Sequence, residues 1–309
     1  MIALQGDAAA QAWPTKPVRA IIPFGAGSAT DIIPRIVFEP LSVQLGQPIV
    51  VENRTGAGGT IGTAAVAKAD PDGYTLLATS SAHTITPAVY ANLSYDAAAD
   101  FAAVIPFGSV ANALVISPAK GIKTIQELVA AAKAKPGSFN YASVGVGSGT
   151  HLSVERLRLS AGFEAVHVPF RGGPEALTEV MAGRVELYFC PINTALPYIR
   201  DGRLLALVVN STKRAAALPD VPTVIEAGYR DAEFPIWIGM LAPAQTPRDI
   251  IGRLHAETVK ALQIPATQAK LASTGVEPVI ISPAEFDARI RKEVETNGAL
   301  AKVAGIKPN

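Results

Sequence analysis

The sequence predicts an α/β protein of two lobes, each a mixed, mostly parallel sheet flanked by helices, with a cleft between the lobes. Three observations predict it. Short apolar, β-branched runs alternate with amphipathic stretches along the chain, the pattern of strand–helix units. Those runs are continuously apolar rather than alternating, as strands covered by helices on both faces are. Two longer strand-like stretches, 101–117 and 234–242, break the alternation, and a chain that crosses twice between two sheets needs such stretches.

Taken in order, the strand candidates are 18–24, 48–52, 74–79, 139–143, 165–170, 185–189 and 204–209. Amphipathic helices are expected at 125–134, 174–182 and 247–262. Thr124 and Thr246 stand as N-caps, and Glu127 completes a capping-box spacing after Thr124. Asp72-Gly73 is a turn signal before a strand, and Arg54 is expected to pair with a carboxylate and anchor its loop. Lys and Arg alternate with acids along 247–262 and 286–295, as on solvated helix faces. The crossings divide the chain into one lobe of 13–107 plus 239–309 and another of 108–238. The alternative is one large sheet with an antiparallel edge. Ala10-Gln11-Ala12 before Trp13 has the small-x-small form of a signal-peptide end, so residues 1–12 read as a remnant of a secretory leader or an expression tag.

Composition narrows the function. With 309 residues the chain suits two domains, and 49% hydrophobic against 17% charged residues excludes disorder. A net charge of +1 without a basic stripe gives no support to nucleic-acid binding. The single cysteine, Cys190, excludes an internal disulfide framework. His83, His151, His167 and His255 have no metal-ligand spacing, so neither metal nor cofactor is expected.

The remaining chemistry lies in glycine-rich loops: Gly25–Thr30 (GAGSAT), Gly56–Gly62 (GAGGTIG), Gly145–Thr150 (GVGSGT) and Gly172-Gly173. Glycine lets backbone N–H groups approach a ligand, and a following helix N-terminus adds unpaired donors and partial positive charge. Such loops make an anion site without Lys or Arg. A Pro-Phe-x-x-Gly segment occurs twice, at 23–27 and 169–173, each time after an apolar run and before a helix, one per lobe. These two loops are expected to be the jaws of the site. Two rival readings stay open. Gly25-x-Gly27-x-x-Thr30 with Glu52 is a degraded dinucleotide fingerprint, lacking its third glycine. Ser148 with His151 is a pair that a hydrolase could use.

Five segments, taken in order, resemble the Bug family, the TctC-like extracytoplasmic receptors of tripartite tricarboxylate transporters. They are IIPFGAGSATDIIPR, VVENRTGAGGTIGTAAVAKADPDGYTLL, NYASVGVGSGTHL, HVPFRGGPEAL and LPDVPTVIEAG. The resemblance runs from Trp13 to the C-terminus. It implies a type II-like periplasmic binding protein fold with the ligand cleft between the lobes. It further implies a periplasmic, non-enzymatic monomer that captures a small carboxylate and delivers it to a membrane permease, or an orphan sensor of the same fold. The ligand residues it implies are Phe24, Gly25, Ala26, Gly27, Ser28 and Asp31 in the first loop. Thr79, Ser80, Ser81 and His83 follow the third strand. The second lobe supplies Ser143, Gly147, Ser148, Thr150 and His151, then Phe170, Arg171, Gly172 and Gly173, then Cys190 and Asn193. Three positions depart from the family pattern: Ser28 stands where a second Gly is usual, Pro34 where Ala is usual, and Cys190 where many members carry Asp. That Asp can pair with a ligand amino group, so a non-amino carboxylate is expected here.

Overall fold

β1 (Val18–Ile22) is an apolar run buried at four of its five positions, and it sits inside a sheet. The computed structural model describes residues 13–306 and 308; the leader reading of residues 1–12 falls outside them. After β1 come α1 (Ala29–Leu45), β2 (Ile49–Asn53), α2 (Thr60–Ala67), β3 (Thr75–Ser80), α3 (Ala82–Val89) and β4 (Phe101–Val110). The chain passes Ala111 into β5 (Asn112–Ile116). There follow α4 (Ile125–Ala134), β6 (Asn140–Ser143), α5 (Gly149–Ala161), β7 (Val166–Pro169), α6 (Gly173–Met181), β8 (Leu187–Pro191), α7 (Ile192–Arg200) and β9 (Leu205–Val209). It returns through β10 (Ile236–Pro243) and ends with α8 (Arg248–Gln263), α9 (Pro265–Ser273), β11 (Val276–Glu277) and α10 (Pro283–Val303).

Two separate sheets form, of order β11-β4-β10-β3-β1-β2 and β7-β6-β8-β5-β9. In the first, β1 to β4 share one direction while β10 and β11 run against them. In the second, only β5 runs against the others. The strands β10 and β5 are the ones that enter from the other sheet, which is why they are reversed. Both sheets thus repeat one order, second–first–third–entering–fourth, and β1 is the counterpart of β6. In an α/β layer the loops after such strands meet at the carboxyl ends, where ligands are bound.

Packing explains several residues that the sequence alone left open. Trp237, fully buried in β10, stacks edge-on to Phe286 at 5.0 Å and donates its indole N–H to Glu293 Oε2 at 2.7 Å, tying α10 to the first sheet. The glycines of 56–62 serve close approach. A Cβ on Gly62 would stand 2.5 Å from the Arg54 carbonyl oxygen, one on Gly58 would meet Tyr90 Oη at 2.5 Å, and one on Gly59 would press on Phe24 and Pro23. Gly62→Ala is therefore expected to cost about 1–3 kcal/mol by overpacking, read as a lower denaturation midpoint with an unchanged slope.

Local expectations met mixed outcomes. Thr124 caps α4 by accepting the Glu127 N–H at 3.1 Å, but the Glu127 carboxylate takes the N–H of Lys123 instead of that of the cap. A complete capping box appears at Ser282 and Glu285. Thr246 is not a cap: α8 begins after Pro247, whose fixed φ suits the entry, and the Thr246 hydroxyl is buried. Arg54 is exposed and forms no ion pair among the described residues. Its anchoring role falls to Asp31, Arg35 and Asn53, as described next.

Candidate functional site

Two loops in equivalent positions share one geometry. After β1 the chain reads Gly25-Ala26-Gly27-Ser28-Ala29-Thr30-Asp31, and after β6 it reads Gly145-Val146-Gly147-Ser148-Gly149-Thr150-His151. Gly27 and Gly147 are left-handed, with φ of 80° and 73°. Ser28 and Ser148 are the N-caps of α1 and α5, with φ/ψ of −71°/161° and −68°/158°. Each serine N–H bonds the carbonyl three residues back at 3.2 Å. Each second glycine donates its N–H to the side chain four residues on, Gly27 to Asp31 Oδ2 at 2.8 Å and Gly147 to His151 Nδ1 at 3.0 Å. The counterpart of the first loop is therefore the Gly145 loop, not the Pro-Phe-x-x-Gly segment at 169–173, which follows β7. Both loops carry G-x-G-S-x-T, at 25–30 and 145–150, and this motif rather than Pro-Phe-x-x-Gly marks the equivalent positions.

Between the two sheets lies a cavity of about 440 Å³. From the first sheet's side it is lined by Gly27, Ser28 and the Ile32-Ile33 face of α1, with Thr274 beyond α9. From the other side come Val144 and Thr150 at α5, Gly173 and Pro174 at α6, and Tyr188, Pro191, Asn193 and Thr194 around α7. Four helices, α1, α5, α6 and α7, thus present their first turns to one space. Of these only α5 has its N-terminus capped by a side chain. The first N–H groups of a helix have no intrahelical partner and carry partial positive charge. Ser28 Oγ, Tyr188 Oη and Asn193 Oδ1 are buried on this cavity without a hydrogen-bond partner. Unpaired buried polar atoms are costly, and three around one cavity mark groups that a ligand or water completes. No Lys, Arg, Asp or Glu is among the lining residues.

The cavity takes in Gly27, Ser28, Thr150, Gly173 and Asn193 of the expected residues; Tyr188, Thr194 and Thr274 were missed. Tyr188 was unreadable because it sits in a strand whose run looks like plain core. Gly25 and Ala26 form the exposed rim of the first loop, and Phe24 packs against the core beneath it. Asp31 is 3% exposed, and its side chain accepts Gly27 N–H, Arg35 Nε at 2.9 Å and Asn53 Nδ2 at 2.9 Å. Burial pushes its pKa up, but the bonds from Gly27, Asn53 and Arg35 outweigh burial and hold it below the usual value. It clasps the loop and does not face the cavity.

Thr79, Ser80, Ser81 and His83 are buried inside the first lobe and do not line the cavity. His83 bonds the Ala97 carbonyl through Nε2 at 2.7 Å and packs edge-on to Phe101. Arg171 is exposed and not among the lining residues, and its backbone N–H goes to Glu175 Oε2 at 3.2 Å. Phe170 packs on the second-lobe core, and Gly172 is the extended N-cap of α6. Cys190 is fully buried with Tyr188, Ala195 and Val209, outside the cavity lining, and burial drives its thiol pKa up. A thiol reagent is therefore expected to leave the native protein unmodified and to react on unfolding; stoichiometric labelling of the folded chain would contradict this placement.

The rival readings meet geometry of another kind. The Ser148 hydroxyl bonds the Gly145 carbonyl at 2.8 Å and receives the backbone N–H of His151, so it is a cap and not part of a Ser–His pair through the ring. Glu52 faces Arg19 at 3.7 Å on the exposed side of β2, away from the cavity.

A cavity between two α/β sheets of the same strand order, with helix N-termini converging on it from both, defines a two-lobed solute-binding protein. The chain belongs to the tripartite tricarboxylate transporter family of receptors, TctC, which it matches over residues 33–306. Protein BugT of Bordetella pertussis is 34% identical over 311 residues, covering 99% of this chain and 95% of the relative. A solved periplasmic transporter is 36% identical with a TM-score of 0.82, covering 96% of this chain and 99% of that one. Rpa4515 of R. palustris, solved with adipate, is 32% identical with a TM-score of 0.83, covering 96% of this chain and 100% of that one. The family resemblance read from the sequence is upheld. Among the described residues no helix is long and apolar enough to cross a membrane.

Proposed function

We propose that this chain captures a small non-amino carboxylate between its lobes in the periplasm and presents it to the membrane component of a tripartite transporter. The chain passes between the two sheets at Ala111 and again within 210–235. The observation that carries the reading is the set of unpartnered polar groups, Ser28 Oγ, Tyr188 Oη and Asn193 Oδ1, on a cavity faced by four helix N-termini. A carboxylate there accepts from Ser28, Tyr188 and backbone N–H groups, while Ile32, Ile33, Val144 and Pro174 contact its carbon chain. Micromolar capture needs about −8 kcal/mol. Hydrogen bonds to a charged group supply roughly 1.5–3 kcal/mol each, so four to six of them suffice after immobilisation costs. The absence of a lining carboxylate leaves a ligand ammonium without a countercharge, which favours plain acids over amino acids. The adipate held by Rpa4515 is an acid of this type.

The test is a thermal-shift panel of adipate, malate, succinate, citrate, benzoate, aspartate, glutamate and NAD, followed by calorimetry on those that stabilise. Stabilisation by one or more plain carboxylates, with none from aspartate, glutamate or NAD, is expected. Tight aspartate or glutamate binding without any plain acid would overturn the ligand class, and a response to NAD alone would overturn the receptor reading.

A further inference from the structure

The two matched loops are latched by chemically different side chains. Gly27 N–H is held by the carboxylate of Asp31, and Gly147 N–H by the imidazole of His151. An imidazole nitrogen accepts a hydrogen bond only when it carries no proton, so His151 must be neutral with its proton on Nε2. Once the ring is protonated both nitrogens are donors, and Gly147 N–H is left against another N–H. The Asp31 latch is a carboxylate whose own pKa, despite burial, is held below the usual value by the bonds it accepts from Gly27, Asn53 and Arg35.

The surroundings of His151 oppose its protonation. His167 on β7 lies flat against it, ring centroids 3.9 Å apart and planes 9° from parallel. Tyr141 on β6 stacks beyond, at 5.9 Å. Glu155 and Arg158 approach from α5 itself, and Glu164 from the turn after it. Glu155 is already engaged by Tyr141 Oη at 2.5 Å and by Arg158 at 2.7 Å, and Arg158 also holds Glu164 at 3.1 Å. The segment after α10, Ala304 to Ile306, adds no titratable group. His167 Nε2 is 2.6 Å from Ser143 Oγ, which in turn takes the Gly145 N–H at 3.0 Å, so both rings hold the same loop. Van der Waals contact constrains it as well, because Gly147 lies against Val89 of α3, with no room for a side chain.

We propose that His151 is a positioning residue for the ligand loop of the second lobe, and that its protonation loosens the Gly145–Thr150 turn while the Gly25–Thr30 turn holds, making ligand affinity acid-sensitive. The inference rests on the receptor reading for its effect on affinity, but the latch itself does not. Burial, and then the adjacent His167, push the His151 pKa down to about 4, so the change begins below about pH 5.

The test uses the full chain and two readouts. Without ligand, amide resonances of Gly147 and Gly27 are followed by NMR from about pH 7 to about pH 4.5, together with the His151 ring proton. Gly147 is expected to shift and exchange faster in step with the ring, Gly27 to stay fixed, and both to stay fixed in His151→Asn, whose Oδ1 accepts at every pH. With adipate as probe and the titration carried on to about pH 4, where half of the rings are protonated, the ratio of wild-type to His151→Asn Kd is expected to rise by about twofold, the protonation of adipate cancelling in the ratio. A Gly147 amide that titrates no more than Gly27 would overturn the latch. A flat Kd ratio, with the Gly147 shift present, would overturn its coupling to affinity. If adipate does not bind, the ligand reading fails for that acid and the amide data still decide the latch.

Discussion

Replacing Asn193 by Asp is expected to abolish carboxylate capture while leaving the unliganded fold at least as stable. Asn193 lies in the first turn of α7, and its Oδ1 is buried on the cavity without a partner. The substitution changes one atom in size and shape, so packing is preserved. It places a fixed negative charge where the proposed ligand's carboxylate would be held. Two like charges about 4 Å apart repel by about 4 kcal/mol at an effective dielectric of 20, a loss of about a hundredfold to a thousandfold in Kd. The sign for the empty protein is opposite. A carboxylate in the first turn of a helix contributes about 0.3–1 kcal/mol, so the melting temperature should hold or rise. Calorimetry with whichever acid stabilises the wild type, beside a melt of the free protein, separates the two effects. Binding within about threefold of wild type would place the anion elsewhere.

The second large effect is acid destabilisation driven by buried histidines. His83 and His151 are 3% and 4% exposed, and burial holds each pKa near 4; His167 is lowered by burial as well. Above about pH 6.5 these rings are neutral in both the native and the unfolded chain, and they contribute nothing to the pH dependence. As pH falls, the unfolded chain takes up protons that the native one refuses. Each ring then costs about 1.4 kcal/mol per pH unit until the native value is reached. By about pH 4.5, His83 and His151 together remove on the order of 4–5 kcal/mol, comparable to the whole stability of many domains. Denaturation midpoints measured across this window should fall steeply, and His83→Gln, which keeps an N–H for the Ala97 carbonyl, should flatten the slope. A midpoint that is level between about pH 6.5 and about pH 4.5 would show that these rings are charged in the native protein.

Much of the fold was legible because its signals are local. Continuous apolar runs located most strands, and Asp72-Gly73 located the turn before β3, where Gly73 has φ of 80° and Asp72 Oδ1 takes the Tyr74 N–H at 2.9 Å. Strand direction was less legible. β5 and β10 are reversed because of where the chain comes from, a property no residue carries. Some of the candidate residues line the cavity and others do not. Helix starts with glycine and serine marked Gly27, Ser28 and Thr150. Tyr188 and Thr274 reach the cavity only through tertiary placement, from a core strand and a helix end. Motif logic also overreached. The glycines at 56–62 pack closely against Pro23, Arg54 and Tyr90, and Arg171 and Cys190 are not among the residues lining the cavity although neighbours of both are.

The paired loops carry the account, and their roles differ in detail. Asp31 and His151 hold the backbone so that Ser28 and Thr150 face the space between the sheets. In the proposed binding mode positive charge would come from helix ends alone, since no Lys or Arg lines the cavity, and no fixed cation would have to be separated from the ligand on release.

The most direct measurement is a crystal structure with an acid that passes the thermal-shift panel. Carboxylate oxygens are expected within about 3 Å of Ser28 Oγ, Tyr188 Oη and first-turn N–H groups of α1 and α6 or α7. A carboxylate paired with Arg171, or one seated among His151, His167 and Arg158, would contradict it.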